Sequence, residues 1–337
     1  MTVIPASLHR GRDATTPALR TALDLLDRRT RHQAAYHLGW ITAAGAPTAA
    51  DGGKAVRPAL ALLSAQAVGA PPDTALPGAV AVELVHNFSL LHDDLMDGDE
   101  ERRHRRTVWA LWGASSAILT GDALLALAQE VLLDCGLPTA AAAAGLLART
   151  TRRLIQGQVQ DMAFETRQHV TVEECLEMAA GKTGALLSAS AAIGALLAGA
   201  PRSVVDALAL YGEQVGLAFQ LTDDVLGIWG DPAATGKSVH SDLRARKKSL
   251  PVAHALNQGG TLGVELATWL AAPGRPDETE LRRAADLIEA AGGRDWARAE
   301  AVRRMALGEA ALHGAGLDPG ARDELLAVGR FIVHREV

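Results

Sequence analysis

Along this chain apolar residues recur at helical spacing, and the Val/Ile/Thr/Tyr alternation of a half-buried strand is almost absent. TPALRTALDLLDRRTRHQAAYHLGW, from Thr16 to Trp40, keeps its charges on one face with Pro17 near its start. RPALALLSAQAV ends at Gly69, ahead of the punctuating APPDTALPG. A long helix is expected from about Ala79, with others at 116–135, 139–164, 171–199 and 203–229. After a loop at 230–244, more polar helices fill 245–336, with AAPGRPDETE as a turn between two of them. Most middle segments are too apolar for surface helices, so the predicted fold class is all-α, one large helical bundle around a central cavity. With no dividing linker and no solenoid-period repeat, residues 1–337 read as a single all-helical domain whose stretch 1–15 is flexible.

Composition narrows the function without naming it. A chain that is 48% hydrophobic and 21% charged can bury a large core. Its net charge of -6 argues against wholesale binding to nucleic acid or to an anionic membrane. Cys135 and Cys175, the only cysteines, are far apart and show no metal-type spacing, which fits a reducing cytoplasm. MTVIPASLHRGRDATTPALR lacks the apolar core of a secretory signal, and TGALLSASAAIGALLAGA, though apolar, is read as a buried helix rather than a membrane span.

The candidate chemistry lies at the ends of two apolar helices. In LLHDDLMDGDEERRHRR, Asp93 and Asp97 stack on one helical face with Asp94 beside them. Like charges at that spacing cost a few tenths of a kcal/mol per pair, and carboxylates at a helix C-terminus also oppose its dipole. A solvated helix end neutralised by Arg102, Arg103, Arg105 and Arg106 is one explanation; a divalent cation is the other. VGLAFQLTDDVLGIWGD repeats the pattern with Asp223 and Asp224, Gln220 one turn upstream and Asp231 in the loop. Oxygen clusters without His or Cys suit Mg²⁺, which takes a few carboxylates together with water and phosphate oxygens. Two facing carboxylate walls would hold several Mg²⁺ ions against a diphosphate.

Candidate phosphate ligands are spread along the chain. GGKAVRP supplies Lys54 and Arg57 on the first turn of a helix, ERRHRR supplies Arg102 and Arg103, and GKTGALL supplies Lys182 and Thr183. GDPAATGKSVHSDLRARKKSLP supplies Lys237, Lys247 and Lys248. Within it DPAATGKS imitates a P-loop, but Asp231 stands at the first glycine position and the preceding segment reads as helix, not strand. His86, His92 and His104 form no zinc-type helix pair, and His86 is better read as a phosphate ligand or a structural residue.

These residues resemble the trans-polyprenyl diphosphate synthase family. DDLMD matches its first aspartate-rich motif, RR follows at the family spacing, and FQLTDDVLG with GDPAATGK looks like the second motif. GGKAVRP, ELVHNFSLLHDD and KTGALL fall in the expected order, so the similarity covers about residues 50–251. The resemblance implies a head-to-tail prenyltransferase that condenses isopentenyl diphosphate with an allylic diphosphate, uses three Mg²⁺ ions, and forms a cytoplasmic homodimer without stable membrane insertion. It assigns Asp93, Asp97 and Asp223 to direct metal binding and Asp94 and Asp224 to supporting positions at the metal. Lys54, Arg57, His86 and Arg103 would bind isopentenyl diphosphate. Arg102, Lys182, Lys237 and Lys247 would hold the allylic diphosphate. Oxygens near Lys182, Thr183 and Gln220 would soften the allylic cation.

Four positions depart from the family pattern. Ala55 replaces a basic residue, Gly227 stands where a third aspartate is common, with Asp231 a possible substitute, and His104 and Arg106 replace Gly and Pro. The product tail should run back from the aspartates past Ser89 and Phe88, the latter a partial floor, which is expected to give a C20 product, with C15 as the alternative. The competing readings are a class I terpene cyclase on the same fold, disfavoured by an aromatic content of 4%, and a non-catalytic helical subunit.

Overall fold

A computed structural model of the chain describes residues 4–48, 53–231 and 239–333. It is 76% helical, and among the described residues the one sheet is a two-stranded hairpin, which bears out the all-α expectation. The helices are α1 Ala6–Leu23, α2 Arg28–His37, α3 Val56–Ala67, α4 Leu76–Met96, α5 Val108–Trp112, α6 Ala114–Leu133, α7 Ala140–Thr166, α8 Val172–Ala179 and α9 Ala185–Leu197. They continue with α10 Arg202–Trp229, α11 Ser241–Arg244, α12 Leu250–Asn257, α13 Gly260–Ala271, α14 Glu278–Ala290, α15 Gly293–Leu312 and α16 Pro319–Val333.

Three boundaries differ from the sequence reading. The stretch expected to be flexible is helical from Ala6, with Leu8, Gly11 and Thr15 buried on α1. The segment 16–40 is two helices, because Asp27 caps α2 by accepting from the backbone N–H groups of Arg29 and Thr30 at 2.9 and 3.2 Å. The segment 171–199 is interrupted by a π-helical turn, Ala180–Gly184, where AGKTG carries two glycines in a run of five.

Two large apolar clusters organise the bundle. In one, α10 packs on α9, α15 and α16 around Leu187, Leu208, Tyr211, Val215 and Leu325. In the other, α4 packs on α6, α7 and α9 around Leu84, Val85, Phe88, Leu124, Leu147 and Ile193. Burying each such side chain is worth about 1.5–3 kcal/mol, so the two long helices that carry the aspartates are fixed by their own flanks. Segments Pro72–Met96, Ala114–Leu133 and Val172–Leu197 are long and apolar enough to cross a membrane, yet their apolar windows are 67%, 44% and 72% buried by other helices.

Candidate active site

The first acidic wall is the C-terminal end of α4. The helix closes when the N–H of Asp97 bonds the Asp93 carbonyl at 2.8 Å and that of Asp99 bonds the Asp94 carbonyl at 2.9 Å. Gly98 takes the left-handed conformation, φ +70°, that this ending requires. Asp97 is exposed and Asp93 half-buried, whereas Asp94 is buried. Arg102 Nε donates to Asp94 Oδ1 at 2.6 Å, and the other Asp94 oxygen is buried without a partner. Desolvation outweighs the arginine and pushes the Asp94 carboxyl up to about 6. Asp93 is also raised by burial, against the pull of Lys182.

Arg102 reaches Asp94 from the hairpin formed by Glu101–Arg102 and Arg105–Arg106. Its turn residues, Arg103 and His104, both have positive φ, 51° and 60°, a conformation that suits Asn-Gly far better. That strained turn swings Arg103 back toward Gly53, where a Cβ would lie 2.9 Å from Arg103 Nη2.

The second wall ends α10. Asp223 is half-buried; Asp224 is buried, with Oδ1 accepting from Gln220 Nε2 and Oδ2 from the Leu250 N–H, both at 2.8 Å. Burial, then the neighbouring Asp242, raises Asp224 to about 7. Asp94 and Asp224 thus support the walls from behind, and Asp93, Asp97 and Asp223 keep the open edge. At Gly227 a Cβ would lie 2.2 Å from Asp242 Oδ2, so a carboxylate from α11 occupies the space in which the family's third aspartate would begin. Asp231, the substitute named from the sequence, is exposed beyond the helix end.

Cations lie among the carboxylates. Desolvation pulls the Lys247 pKa down, but Asp97, Asp161, Asp242 and Asp99 outweigh this and raise it, so carboxylates from several segments are in electrostatic reach of one ammonium. Lys182 Nζ donates to Asp161 Oδ2 at 2.6 Å from the π-helical turn. Gly157 of α7 permits that turn to approach, since a Cβ there would lie 2.3 Å from the Lys182 backbone nitrogen. Thr183 Oγ1 donates to Gln220 Oε1 at 2.7 Å. The hydroxyl proton is therefore committed, so the Thr183 oxygen can meet a ligand only as an acceptor, and Gln220 has an orienting task. Lys237 lies outside the described residues.

A separate basic group forms where α3, α4 and the hairpin meet. Burial, then Arg57, Arg103, His37 and Arg102, holds His86 well below the usual histidine range. Burial lowers the Arg57 pKa against the opposing pull of Glu83, and its Nε is buried without a hydrogen-bond partner. Lys54 Nζ sits 5.1 Å above the Phe331 ring of α16. Ala55, the departure at this motif, adopts φ 51° as the residue before α3.

The sequence reading passed over Asp161, Asp242, Glu83 and His37. Asp242 had a signal, lying five residues before the motif lysine Lys247, whereas Asp161 stands 21 residues from Lys182 and had none of that kind. Glu83 and His37 had none, since they meet only through Asn87, whose amide bonds Glu83 Oε1 at 3.2 Å and reaches His37. A cavity of about 570 Å³ opens elsewhere, against Arg28, Arg31, His32 and Trp112, and shares no lining residue with the acidic walls.

Phe88 is buried, with its ring edge-on to His92 at 4.8 Å, and Ser89 Oγ donates to the His86 carbonyl at 2.9 Å. The tail-side position is thus filled by a fixed aromatic ring.

Helical walls of paired carboxylates facing a cationic floor define a trans-prenyltransferase of the polyprenyl diphosphate synthase type. The family model for polyprenyl synthetase matches residues 39–288, and the chain belongs to that family. It is 54% identical over 329 residues to a (2E,6E)-farnesyl diphosphate synthase of Mycobacterium tuberculosis, covering 95% of this chain and 90% of that one. A geranylgeranyl diphosphate synthase of the same organism is 42% identical over 334 residues, covering 98% and 94%. The crystal structure of a polyprenyl synthetase from Streptomyces coelicolor A3(2) superposes with a TM-score of 0.94 at 53% identity, covering 98% of this chain and all of that one. The expected C20 product is overturned by this order of similarity, which favours the C15 alternative. Phe88, named from the sequence as a partial floor, is 5% exposed.

Proposed function

We propose that the chain condenses isopentenyl diphosphate with dimethylallyl and geranyl diphosphates to give farnesyl diphosphate. The observation that carries the reading is the pair of acidic helix ends, each with one buried carboxylate tied from behind, with Lys182 bound to Asp161 between them and a second basic group alongside. Asp93, Asp97, Asp223 and Asp242 would hold Mg²⁺. Among the described residues no three metal-binding side chains form a ready cage, which fits an ion that relies on phosphate oxygens and water for most of its shell. Bound there, Mg²⁺ would neutralise charge developing on the leaving diphosphate.

Arg102, Lys182 and Lys247, with Lys237 as a further member, would grip the allylic diphosphate. Its C–O bond breaks with both electrons leaving on the diphosphate. Thr183 Oγ and the carbonyl groups of the π-helical turn face the resulting cation. Lys54, Arg57, His86 and Arg103 would place isopentenyl diphosphate so that its double-bond electrons form the new C–C bond, and the proton lost passes to the departed diphosphate. This basic group has no task in a cyclase. Apolar surroundings keep water from the cation.

The whole chain acts as one catalytic unit in this reading, in the cytoplasm and as a homodimer. Exposed Ile118 and Leu119 on α6 and Ile155, Val159 and Met162 on the neighbouring α7 support self-association, to be measured by light scattering. Purified protein with Mg²⁺, labelled isopentenyl diphosphate and C5 or C10 primer should yield label in a C15 alcohol after dephosphorylation; no incorporation would defeat the reading. Phe88→Ala should lengthen the product to C20 or beyond, and an unchanged chain length on chromatography would remove Phe88 as the floor.

A further inference from the structure

One buried side chain near this site has no assigned task. Gln158 of α7 is 6% exposed, and both its amide oxygen and its amide nitrogen are buried without a hydrogen-bond partner among the described residues. Other buried glutamines are paired: Gln33 accepts from Thr120 at 2.8 Å and Gln214 from Arg304 at 3.4 Å. A buried amide stripped of both partners is costly, and such a group calls for completion by a ligand, an ion or a water.

Its place on the helix says which ligand. Leu154, four residues earlier, belongs to the apolar cluster that contains Phe88, Leu84 and Val85. Asp161, three residues later, holds Lys182, and adjoining Gly157 lies against the Lys182 backbone. Positions 154, 158 and 161 share one helical face, so Gln158 stands at the border between the apolar lining and the diphosphate-binding mouth. In the prenyl transfer proposed above, that border is where the allylic C–O bond breaks.

We propose that Gln158 is a catalytic residue that touches the reacting allyl group, an inference that rests on the prenyltransferase reading. Its amide oxygen faces the carbon that becomes positive as the bonding electrons depart on the diphosphate. Its NH2 group donates to the departing oxygen. A neutral amide suits this place, because it lends a dipole to the cation and offers no carboxylate for the cation to alkylate.

The test compares wild type with Gln158→Met, which keeps the length and removes the dipole, using geranyl and isopentenyl diphosphates and a geranyl analogue bearing an electron-withdrawing fluorine. Gln158→Met should lower kcat about 100-fold. The KM for isopentenyl diphosphate should stay within about threefold, Tm should hold or rise, and the penalty from fluorine should deepen. Gln158→Asn, which keeps the amide, should recover part of the rate. Wild-type turnover by Gln158→Met would overturn the proposal, as would a rate loss matched by a fall in Tm with an unchanged fluorine penalty. A wild-type protein that makes no C15 product would instead defeat the underlying reading.

Discussion

The two acidic walls have the same sequence signature and are built differently. At the end of α4 the three carboxylates Asp93, Asp94 and Asp97 lie on one helix, and the buried one is tied by Arg102, a side chain from a hairpin eight residues on. At the end of α10 the helix supplies only Asp223 and Asp224. The buried one is tied by Gln220 from its own helix and by the N–H of Leu250, and Asp242 comes from α11 to stand over Gly227. The first wall therefore has all its carboxylates once its helix forms, and the hairpin adds only the tie to Asp94. The second is assembled from three segments, so it depends on how residues 241–250 pack.

That comparison can be broken experimentally. Asp93→Asn and Asp223→Asn should each lower kcat about 1,000-fold, since loss of several kcal/mol of charge stabilisation is expected on either side. A loss confined to one wall would end the idea of matched walls. Next, Asp242→Asn should match Asp97→Asn, at about 100-fold, while Asp231→Asn stays within about twofold. Gly227→Ala should carry part of the same defect by displacing Asp242, together with about 1–3 kcal/mol of lost stability in urea unfolding. If Asp231→Asn proves the more damaging, the loop rather than α11 supplies the third carboxylate.

The hairpin over the first wall has its own signature in pH. Burial, then Arg102, Arg103 and Arg105, brings His37 down to about 3 from its ordinary 6.5. The unfolded chain takes up a proton below pH 6.5 that the folded chain refuses, so this contribution is present above pH 6.5 and is lost as pH falls. Between pH 6.5 and 5.5 it should amount to about 1 kcal/mol, and His37→Gln should flatten that slope in chemical unfolding curves. The smallest effect is expected at the turn: His104→Gly relieves one left-handed residue, and even after the entropy cost of glycine should add about 0.5 kcal/mol.

The sequence made the helical walls legible because a carboxylate pair ending an apolar helix is a local pattern. Asp93, Asp97 and Asp223 could be singled out for that reason, whereas the lysine and arginine motifs were tied to phosphate only by their combination with those walls. Gly227 looked like a weakness because the side chain that overlies it, Asp242, is separated from it by an intervening loop and by no periodic rule. The Asn87 bridge between Glu83 and His37 joins α4 to α2 and leaves no trace in spacing. Helix ends were misread where short-range capping won, as at Asp27, and the first turns of α1 were missed because its few apolar positions find partners only in the tertiary fold, on α3, α4 and α16. Product length was misjudged because spacing names Ser89 and Phe88 but not the side chains of α6, α7 and α9 that share the apolar cluster with Phe88.

The π-helical turn at Ala180–Gly184 works as a phase shifter. One residue per turn beyond the α-helical count rotates everything before it by about 100° relative to everything after it. The helix that packs α9 into the core therefore need not share a face with the segment that aims Lys182 at Asp161. Deleting a single residue here would leave a smoother rod, with more regular backbone bonds and the same composition, whose lysine points at the wrong neighbour. A protein of this kind can be repaired into inactivity.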